Sequence, residues 1–378
     1  MAAIEALRLA WRVVSLRWRG LLGSLMASSA ATTASGAALP EDKAEALFHS
    51  YDGGGVKATG PALLVRKSLF DRVSLSAQYY VDAVSNASVD VVTTASPYKE
   101  TRTAYDFGID TVVRDSTLSL TVSRSTEPDY TADAFGFDVA HEVFGGMSTV
   151  SLGFTRGRDQ VGQKGVVGWI DQASHWQYRA GLTQILSPRW LISANVEIIS
   201  DDGYLGSPYR AARVFGAAVP ERNPRTRTSR AVKLRSITDT HALLARSSLR
   251  AEYRSYWDTW GIKAHTVEIG GAKYLGQSFL VDVSLRSYSQ GKAIFYSDNA
   301  QAETLYVSRN RQLSSFTSTS LSAKLSYSWP GLPAGRDLKL TGAYELKQFR
   351  FSDFTDPRTN APYAHNANVL QLYVSATF

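Results

Sequence analysis

The last eleven residues of the chain, Asn368-Val-Leu-Gln-Leu-Tyr-Val-Ser-Ala-Thr-Phe378, carry the pattern from which the fold can be worked out. Counting back from the terminal aromatic residue, every second side chain is apolar, and those between them are mostly polar. A period of two is that of a β-strand with one apolar and one polar face. A soluble sandwich and a membrane barrel can both end on such a strand. The apolar positions are Leu370, Leu372, Val374, Ala376 and Phe378.

The composition of the 378-residue chain favours strands and excludes several classes of protein. It has 28 Gly, 19 Tyr and 15 Phe but only 3 Met, a balance that suits β-structure. After the N-terminal region no run of about 20 apolar residues appears, which excludes a helical membrane protein. The chain has no cysteine, so disulfides, thiol nucleophiles and cysteine metal sites are excluded. The formal charge is +7 without a polybasic block, and nucleic acid is not an expected partner.

The N-terminal 38 residues have the features of a signal peptide. Arginines up to Arg19 form a positive region, Leu21 to Met26 begin a short apolar core, and small residues continue to Ala38. This order predicts cleavage and export, with a single barrel domain over residues 39–378. The alternative is an amphipathic helix that lies on a partner or on a membrane surface.

The alternation of the C-terminal strand recurs along the whole chain. Between Val73 and Ser85, for example, every second residue is apolar over about a dozen positions. Ordinary strands run to about five or six residues, whereas a tilted strand that crosses a bilayer needs about ten. Alternation also explains the low hydropathy, because each lipid-facing residue has a polar neighbour.

The connections between these segments alternate in length. Tight turns join the hairpins, and long polar connections separate them at residues 86–101, 158–173, 201–228, 291–314 and 350–366. Periplasmic turns and outer loops differ in this way in outer-membrane barrels. The final strand is expected to descend toward the periplasm, where Phe378 would lie. Counting strands back from it makes Val56 to Ser68 a descending strand that needs an ascending partner before it, so the total is even. The sequence therefore predicts an all-β, transmembrane, antiparallel up-and-down barrel of about 16 strands.

Two of the outer connections have features of their own. Residues 87–98 contain Val89, Val91 and Val92, which predicts that this segment packs inside the mouth or against the wall. Residues 201–228 can fold inward as a constriction or remain solvated. Aromatic residues near strand ends, Trp176 and Trp260 among them, are candidates for the interfacial girdles.

The chain after the leader contains the motifs Tyr51-Asp-Gly-Gly-Gly-Val56, Leu64-Val-Arg-Lys67, Gln78-Tyr-Tyr-Val-Asp82, Ala87-Ser-Val-Asp-Val-Val-Thr-Thr-Ala-Ser-Pro-Tyr-Lys-Glu100, Pro224-Arg-Thr-Arg-Thr-Ser229 and Asp258-Thr-Trp-Gly-Ile262. These motifs resemble those of an uncharacterised bacterial family, domain of unknown function family 3570, whose members are regarded as Gram-negative outer-membrane β-barrels. The resemblance covers nearly all of the chain after the leader and implies the fold and the outer membrane as location, but no reaction or ligand. The C-terminal strand similarly resembles the signal that barrel-assembly machinery recognises. Outer-membrane lipid and that machinery are therefore expected partners, with a small periplasmic protein or lipoprotein as a further option.

If the apolar faces meet lipid, the polar faces line the interior and carry charge of both signs. A strand predicted over residues 242–257 would alone contribute three of the inward arginines. The charges fit a wet lumen with a basic track that attracts anions, or pairs that hold the wall together. The basic candidates are Arg66, Arg179, Lys233, Arg235, Arg246, Arg250, Arg254, Arg286 and Lys324. The acidic candidates are Asp82, Asp106, Asp110, Glu252, Glu268 and Asp282.

No motif in the sequence indicates catalysis. The six histidines are dispersed and none falls in a metal-ligand spacing such as HExxH. Nucleophile elbows, phosphate loops and dinucleotide fingerprints are absent from the sequence, so no catalytic residue, metal or cofactor is predicted. The leading hypothesis is a porin-like channel or the barrel component of a transport or secretion assembly, with a partly basic lumen. The alternatives are a scaffold plugged by its own loops or a partner and, ranked last, a hydrolase at the barrel rim.

Overall fold

A computed structural model describes residues 37–86, 98–163, 165–166, 168–242, 244–333 and 335–378. Two predictions fall mostly outside these residues. The signal peptide predicted over residues 1–38 lies outside them up to residue 36. The segment over 87–98 that was predicted to pack in the mouth lies outside them up to residue 97.

The described chain consists of long strands and one short 3-10 helix, Arg311–Leu313. It contains no helix that is long and apolar enough to cross a membrane. The strands are β1 (Lys43–Gly53), β2 (Val56–Leu69), β3 (Val73–Asn86), β4 (Tyr98–Val113), β5 (Ser116–Glu127), β6 (Tyr130–Val143), β7 (Ser148–Gly162), β8 (Ile170–Ser187), β9 (Trp190–Gly203), β10 (Ala211–Val214), β11 (Ala217–Pro220), β12 (Thr226–Asp239), β13 (Ser247–Asp258), β14 (Lys263–Leu275), β15 (Phe279–Gln290), β16 (Phe316–Ser328), β17 (Asp337–Asp356) and β18 (Ala361–Thr377).

Sixteen of the described strands form one closed antiparallel barrel, as the sequence predicted. Each strand pairs with its neighbours in the chain, except that β9 pairs directly with β12. The two short strands β10 and β11 form a separate hairpin in the connection between them. The barrel closes where β1 pairs with β18, from Lys43 opposite Thr377 to Gly53 opposite Ala367. Closure removes the unpaired strand edges that a bilayer does not tolerate.

The outer face of the barrel carries an apolar belt. Leu285, Leu321 and Leu346 lie opposite one another on three neighbouring strands, with 54%, 51% and 46% of their surface exposed. On the other face small polar residues are buried, as Ser74 and Thr341 show. Apolar side chains outside and polar ones inside reverse the order of a soluble domain. Lipid is therefore the solvent of the outer face.

The C-terminus lies at the seam where the barrel closes. The backbone N–H of Phe378 donates to the carbonyl of Asp42, with 3.2 Å between N and O. The Asp42 carboxylate accepts hydrogen bonds from Nζ of Lys67 and the N–H of Ser68, both at 2.5 Å. The bond from Lys67 lowers the pKa of Asp42. Phe378 itself lies on the outer side, about half exposed, with the Lys67 ammonium 5.1 Å from its ring centroid.

Several predicted boundaries are wrong. The connection predicted over 158–173 is shorter, because β7 continues to Gly162 and β8 begins at Ile170. Residues 350–366 are not a long loop, because β17 continues to Asp356 and β18 begins at Ala361, with an irregular register between Arg350 and Thr355. The strand predicted over 242–257 begins only at Ser247. Arg246 lies in the preceding turn with φ of +54°, so it is not a wall residue. In the sequence, Leu243 and Ala245 continue the outward positions of β13 backwards, but the N–H of Leu244 donates to the carbonyl of Thr240 at 2.8 Å and closes a turn.

Candidate functional site

The charged side chains of the inner wall form ion pairs between strands. Apart from Arg246, all the predicted basic and acidic candidates lie by register on the face opposite the apolar belt. Six of the cations have a carboxylate within ion-pair distance. The pairs are Arg66–Asp110 at 3.6 Å, Arg179–Asp138 at 2.7 Å, Lys233–Glu252 at 3.6 Å, Arg254–Glu197 at 3.7 Å, Arg250–Asp282 at 2.9 Å and Arg286–Glu268 at 2.7 Å.

The pairing changes what the wall can do electrostatically. Because each of these six cations has an acidic neighbour, this part of the wall presents paired charges of both signs. Arg250 lies between two acids, Asp282 and Glu268, and Asp282 also faces Lys324 on the next strand. Of the remaining candidates, Asp82 binds a histidine, whereas Arg235 and Asp106 are half-buried on the same face. Their role as lumen-lining residues stays a prediction.

Glycines on the inner wall allow side chains to meet across an intervening strand. Gly153 of β7 lies opposite Arg179 of β8 on one side and Asp138 of β6 on the other. The Arg179 guanidinium crosses over Gly153 and holds both oxygens of Asp138, at 2.7 and 2.9 Å. Gly270 of β14 lies under Arg250 in the same way. A side chain at either glycine would occupy the path of the guanidinium.

The crossing over Gly153 gives a testable prediction. In Gly153→Ala the new Cβ would lie 2.1 Å from Oδ1 of Asp138 and 2.8 Å from Nε of Arg179, so the pair must separate. We expect the free energy of unfolding in lipid vesicles to fall by about 1–3 kcal/mol. Gly136 of β6 is the matched control, since its nearest neighbour would be at 3.4 Å. Equal stability of the two variants, measured by urea titration, would argue against the crossing.

Two histidine clusters on the inner wall were missed by the sequence analysis. His49 of β1 and Asp82 of β3 meet across Gly60 of β2, with 2.6 Å between Nε2 and Oδ1. The Tyr80 hydroxyl lies 3.1 Å from both groups. The alternation along each strand could have placed His49, Tyr80 and Asp82 on the same face, but only the register of β1 to β3 brings them together.

The second cluster holds His175 between two carboxylates near the outer end of β8. Its Nδ1 lies 2.7 Å from Asp201 and its Nε2 lies 2.6 Å from Asp159. Such an imidazole can hold or pass a proton, and here it also joins β7, β8 and β9. Within the described residues no group of three or more His, Cys, Asp and Glu side chains is arranged to hold a metal ion.

The outer mouth of the barrel carries a structure built from two long loops, residues 204–225 and 291–315, which we call the cap. The backbones of Arg222 and Val307 exchange two hydrogen bonds, each of 2.9 Å. Phe215 N–H donates to the carbonyl of Ala300 at 2.8 Å, and the Ser308 hydroxyl donates to Glu221. The two loops are therefore joined by backbone pairing as the strands of a sheet are.

The second loop of the cap packs against the inner face of the wall. Leu313 and Tyr296 are buried against Phe351 and Tyr363 of the β17–β18 hairpin. The Tyr296 hydroxyl donates to the carbonyl of Asp353 at 3.0 Å. Trp260, predicted for the lipid interface, belongs to this cluster and is only 4% exposed. That prediction is wrong because the ring stacks with the Arg227 guanidinium and bonds to the Thr226 carbonyl at 2.9 Å.

The first loop of the cap reaches in the other direction. Tyr209 donates to Asp129 in the turn between β5 and β6, and Gln163 donates to the carbonyl of Pro208 at 3.4 Å. At the base of the loop, Arg225 makes two hydrogen bonds with Asp171, of 2.7 and 2.9 Å, which raise the pKa of Arg225. Contacts of the cap thus extend from the β5–β6 turn to the β17–β18 hairpin. Residues 204–225 are therefore folded against other parts of the rim, and their role as a constriction stays a prediction.

Comparisons with known proteins agree with this architecture. Residues 168–332 match the family model described as Protein of unknown function (DUF3570). The chain is similar to a bacterial polysaccharide outer membrane secretin, with a TM-score of 0.52, 9% identity, and coverage of 90% of this chain and 100% of that one. The protein is an outer-membrane β-barrel. It crosses the Gram-negative outer membrane with sixteen strands.

The other similarities concern the fold alone. The chain resembles the siderophore receptor PirA from Pseudomonas aeruginosa, with a TM-score of 0.46, 10% identity and coverage of 84% of this chain. It spans 60% of the length of that receptor and 57% of the PirA receptor from Acinetobacter baumannii. No curated protein sequence matches the chain significantly. The predicted resemblance to an uncharacterised outer-membrane barrel family is confirmed over 168–332, which includes the motifs at 224–229 and 258–262.

Proposed function

We propose that this outer-membrane barrel is a transport passage for small hydrophilic solutes, whose outer mouth is restricted by the cap. The observation that carries the proposal is the reciprocal hydrogen bonding of Arg222 and Val307, which joins two loops from different parts of the rim. The joint is also packed, because Val307 is buried against Ala212 and Val214 of the other loop.

The barrel wall supports a wet interior. Sixteen strands enclose a lumen wide enough for water. Asp138 lies on the inner face, yet its side chain remains 45% exposed, so space is available beside the wall. Charged groups would not be arranged along this face if apolar side chains filled the interior.

The balance of charge on the wall bears on which solutes would pass. The ion pairs from Arg66–Asp110 to Arg286–Glu268 leave few uncompensated cations. We therefore propose that solutes are selected mainly by size, with weak preference for ions of either sign. A basic track that attracts anions, which was one option from the sequence, is not part of this proposal. No catalytic step is part of this proposal. Ser116 and His141 form a serine–histidine contact of 2.8 Å. This contact is exposed on the outer face near the periplasmic turns, away from the cap.

Conductance in planar bilayers tests the proposal. In the test variant, residues 208–222 are replaced by a short Gly-Ser linker, which removes β10, β11 and the Arg222 side of the joint with Val307. We expect the wild-type barrel to show small, fluctuating conductance and the variant to show several-fold larger, Ohmic steps. The control variant shortens the β17–β18 turn at 357–360, on the same rim, and should behave like wild type.

The possible outcomes separate the candidate functions. Large, steady conductance of the wild type that the deletion leaves unchanged would show that the cap does not restrict the passage. Silence of both proteins would favour a lumen filled by loops or by a partner, and hence a structural scaffold. Two further proposals are not tested by these measurements. One is a small periplasmic or lipoprotein partner. The other is recognition by barrel-assembly machinery through Leu370, Leu372, Val374, Ala376 and Phe378.

A further inference from the structure

Three arginines lie together on the outer face of the barrel, where lipid is the solvent. Arg124 of β5 and Arg158 of β7 lie on either side of Asp133 of β6, each opposite it in register. Arg156 lies two residues before Arg158 on the same face of β7 and is opposite Trp176 of β8. We call Arg124, Arg156 and Arg158 the outer arginine cluster.

The depth of the cluster follows from the alternation along β5 and β7. On β7 the outward residues Val150, Leu152 and Phe154 form part of the apolar belt, and the next outward residue is Arg156. On β5 the last apolar outward residue is Val122, and Arg124 follows. The end of the barrel that carries the long loops faces outward from the cell. The cluster is therefore at the outer edge of the belt, where lipid headgroups begin.

The charges of the cluster are only partly compensated. Nε of Arg124 lies 3.7 Å from Oδ1 of Asp133, and both side chains are more than half exposed. Asp133 is a single carboxylate between two guanidinium groups. Arg156 lies over the Trp176 ring, with 4.4 Å from the guanidinium carbon to the centroid, and this stacking holds its donors in place.

Guanidinium groups bind phosphate with paired hydrogen bonds and keep their charge next to hydrocarbon. A cluster of them beside an interfacial tryptophan fits an anionic headgroup whose acyl chains cover Leu152 and Phe154. We propose that the outer arginine cluster binds the phosphate of a lipid headgroup in the outer leaflet of the membrane. This inference rests on the place of the barrel in the outer membrane and is independent of the transport proposal.

Binding of phosphorylated lipid to the folded barrel tests the inference. The variant R124Q/R156Q/R158Q is compared with K57Q/R230Q/R350Q, which removes three exposed outward cations that lie apart from one another on β2, β12 and β17. The probe is bis-phosphorylated lipid A in neutral detergent, measured by fluorescence titration of the tryptophans and by native mass spectrometry. We expect the cluster variant to bind about 100-fold more weakly than wild type and the control to change little.

Two further arms identify the ligand chemistry and guard against misfolding. Dephosphorylated lipid A should bind wild type no better than it binds the cluster variant. The single variant R158Q, which changes one exposed side chain, should show an intermediate loss if the triple variant fails to give the heat-modifiable mobility of a folded barrel. Equal affinity of wild type and the cluster variant overturns the inference. Saturable binding of inorganic phosphate alone, at the affinity of the lipid, also overturns it, since a free anion would then be the ligand.

Discussion

Replacing Leu321 by arginine (L321R) is expected to destabilise the folded barrel by about 2–4 kcal/mol in a lipid bilayer. Leu321 lies near the middle of β16 and faces outward between Leu285 and Leu346. An arginine there must bring its charge into hydrocarbon or stretch to the interface, and either costs free energy. The free energy of unfolding in phosphatidylcholine vesicles, from urea titration of tryptophan fluorescence, gives the size of the effect.

The matched control is the next residue of the same strand. Ser322 faces the inner wall, where it lies opposite Glu345 of β17, so the arginine of S322R would meet water and a carboxylate. We expect S322R to change the stability by less than about 1 kcal/mol. If L321R were as stable as S322R, or if it made the protein soluble without detergent, the outer face would not be meeting lipid.

The period of two in the sequence was sufficient to predict the barrel. Alternation from Val73 to Ser85 and from Asn368 to Phe378 fixes which side chains share a face, because successive residues of a strand point to opposite sides. The even number of strands was predicted by counting back along the hairpins from a final strand assumed to descend toward the periplasm. Local patterns of this kind survive in a barrel because each strand meets the same two solvents along its whole length.

The errors arise where the chain leaves the regular strand. Arg246 was predicted on a strand because Leu243 and Ala245 continue the outward positions of the following strand backwards in the sequence, yet Arg246 adopts φ of +54° in a turn. β17 continues to Asp356, but its register is irregular between Arg350 and Thr355 and its inner face packs against the cap. The simple apolar period is lost there, so the sequence pattern was interpreted as a loop. Trp260 was assigned to lipid from its location near a strand end, but it is buried under the cap.

The pairing of charges and the cap depend on contacts between distant residues. The sequence identified Arg250 and Asp282 as inward residues, but their ion pair requires the register of three strands and a glycine at position 270. Arg222 and Val307 are 85 positions apart and lie in irregular segments without any period. Hydrophobic periodicity carries no information about such a joint. The same holds for His175, whose carboxylate partners come from different strands.

A disulfide across the joint of the cap is expected to abolish its opening. In R222C/V307C the two cysteines replace residues that exchange both backbone hydrogen bonds. Such antiparallel pairs have Cα atoms about 5.5 Å apart, within the range that a disulfide accepts. The chain has no cysteine of its own, so no other disulfide can form within it. The control A212C/V219C links β10 to β11, which pair with each other, and leaves the two loops free to separate.

The conductance of single R222C/V307C barrels in planar bilayers, recorded before and after addition of a reductant, tests the capped passage most directly. We predict that the oxidised barrel stays at its lowest conductance, that reduction restores fluctuating steps like those of wild type, and that A212C/V219C fluctuates under both conditions. Identical records from oxidised and reduced R222C/V307C would contradict the account, because a cap that never opens, or one that lies beside the path of the ions, would be unaffected by the bond.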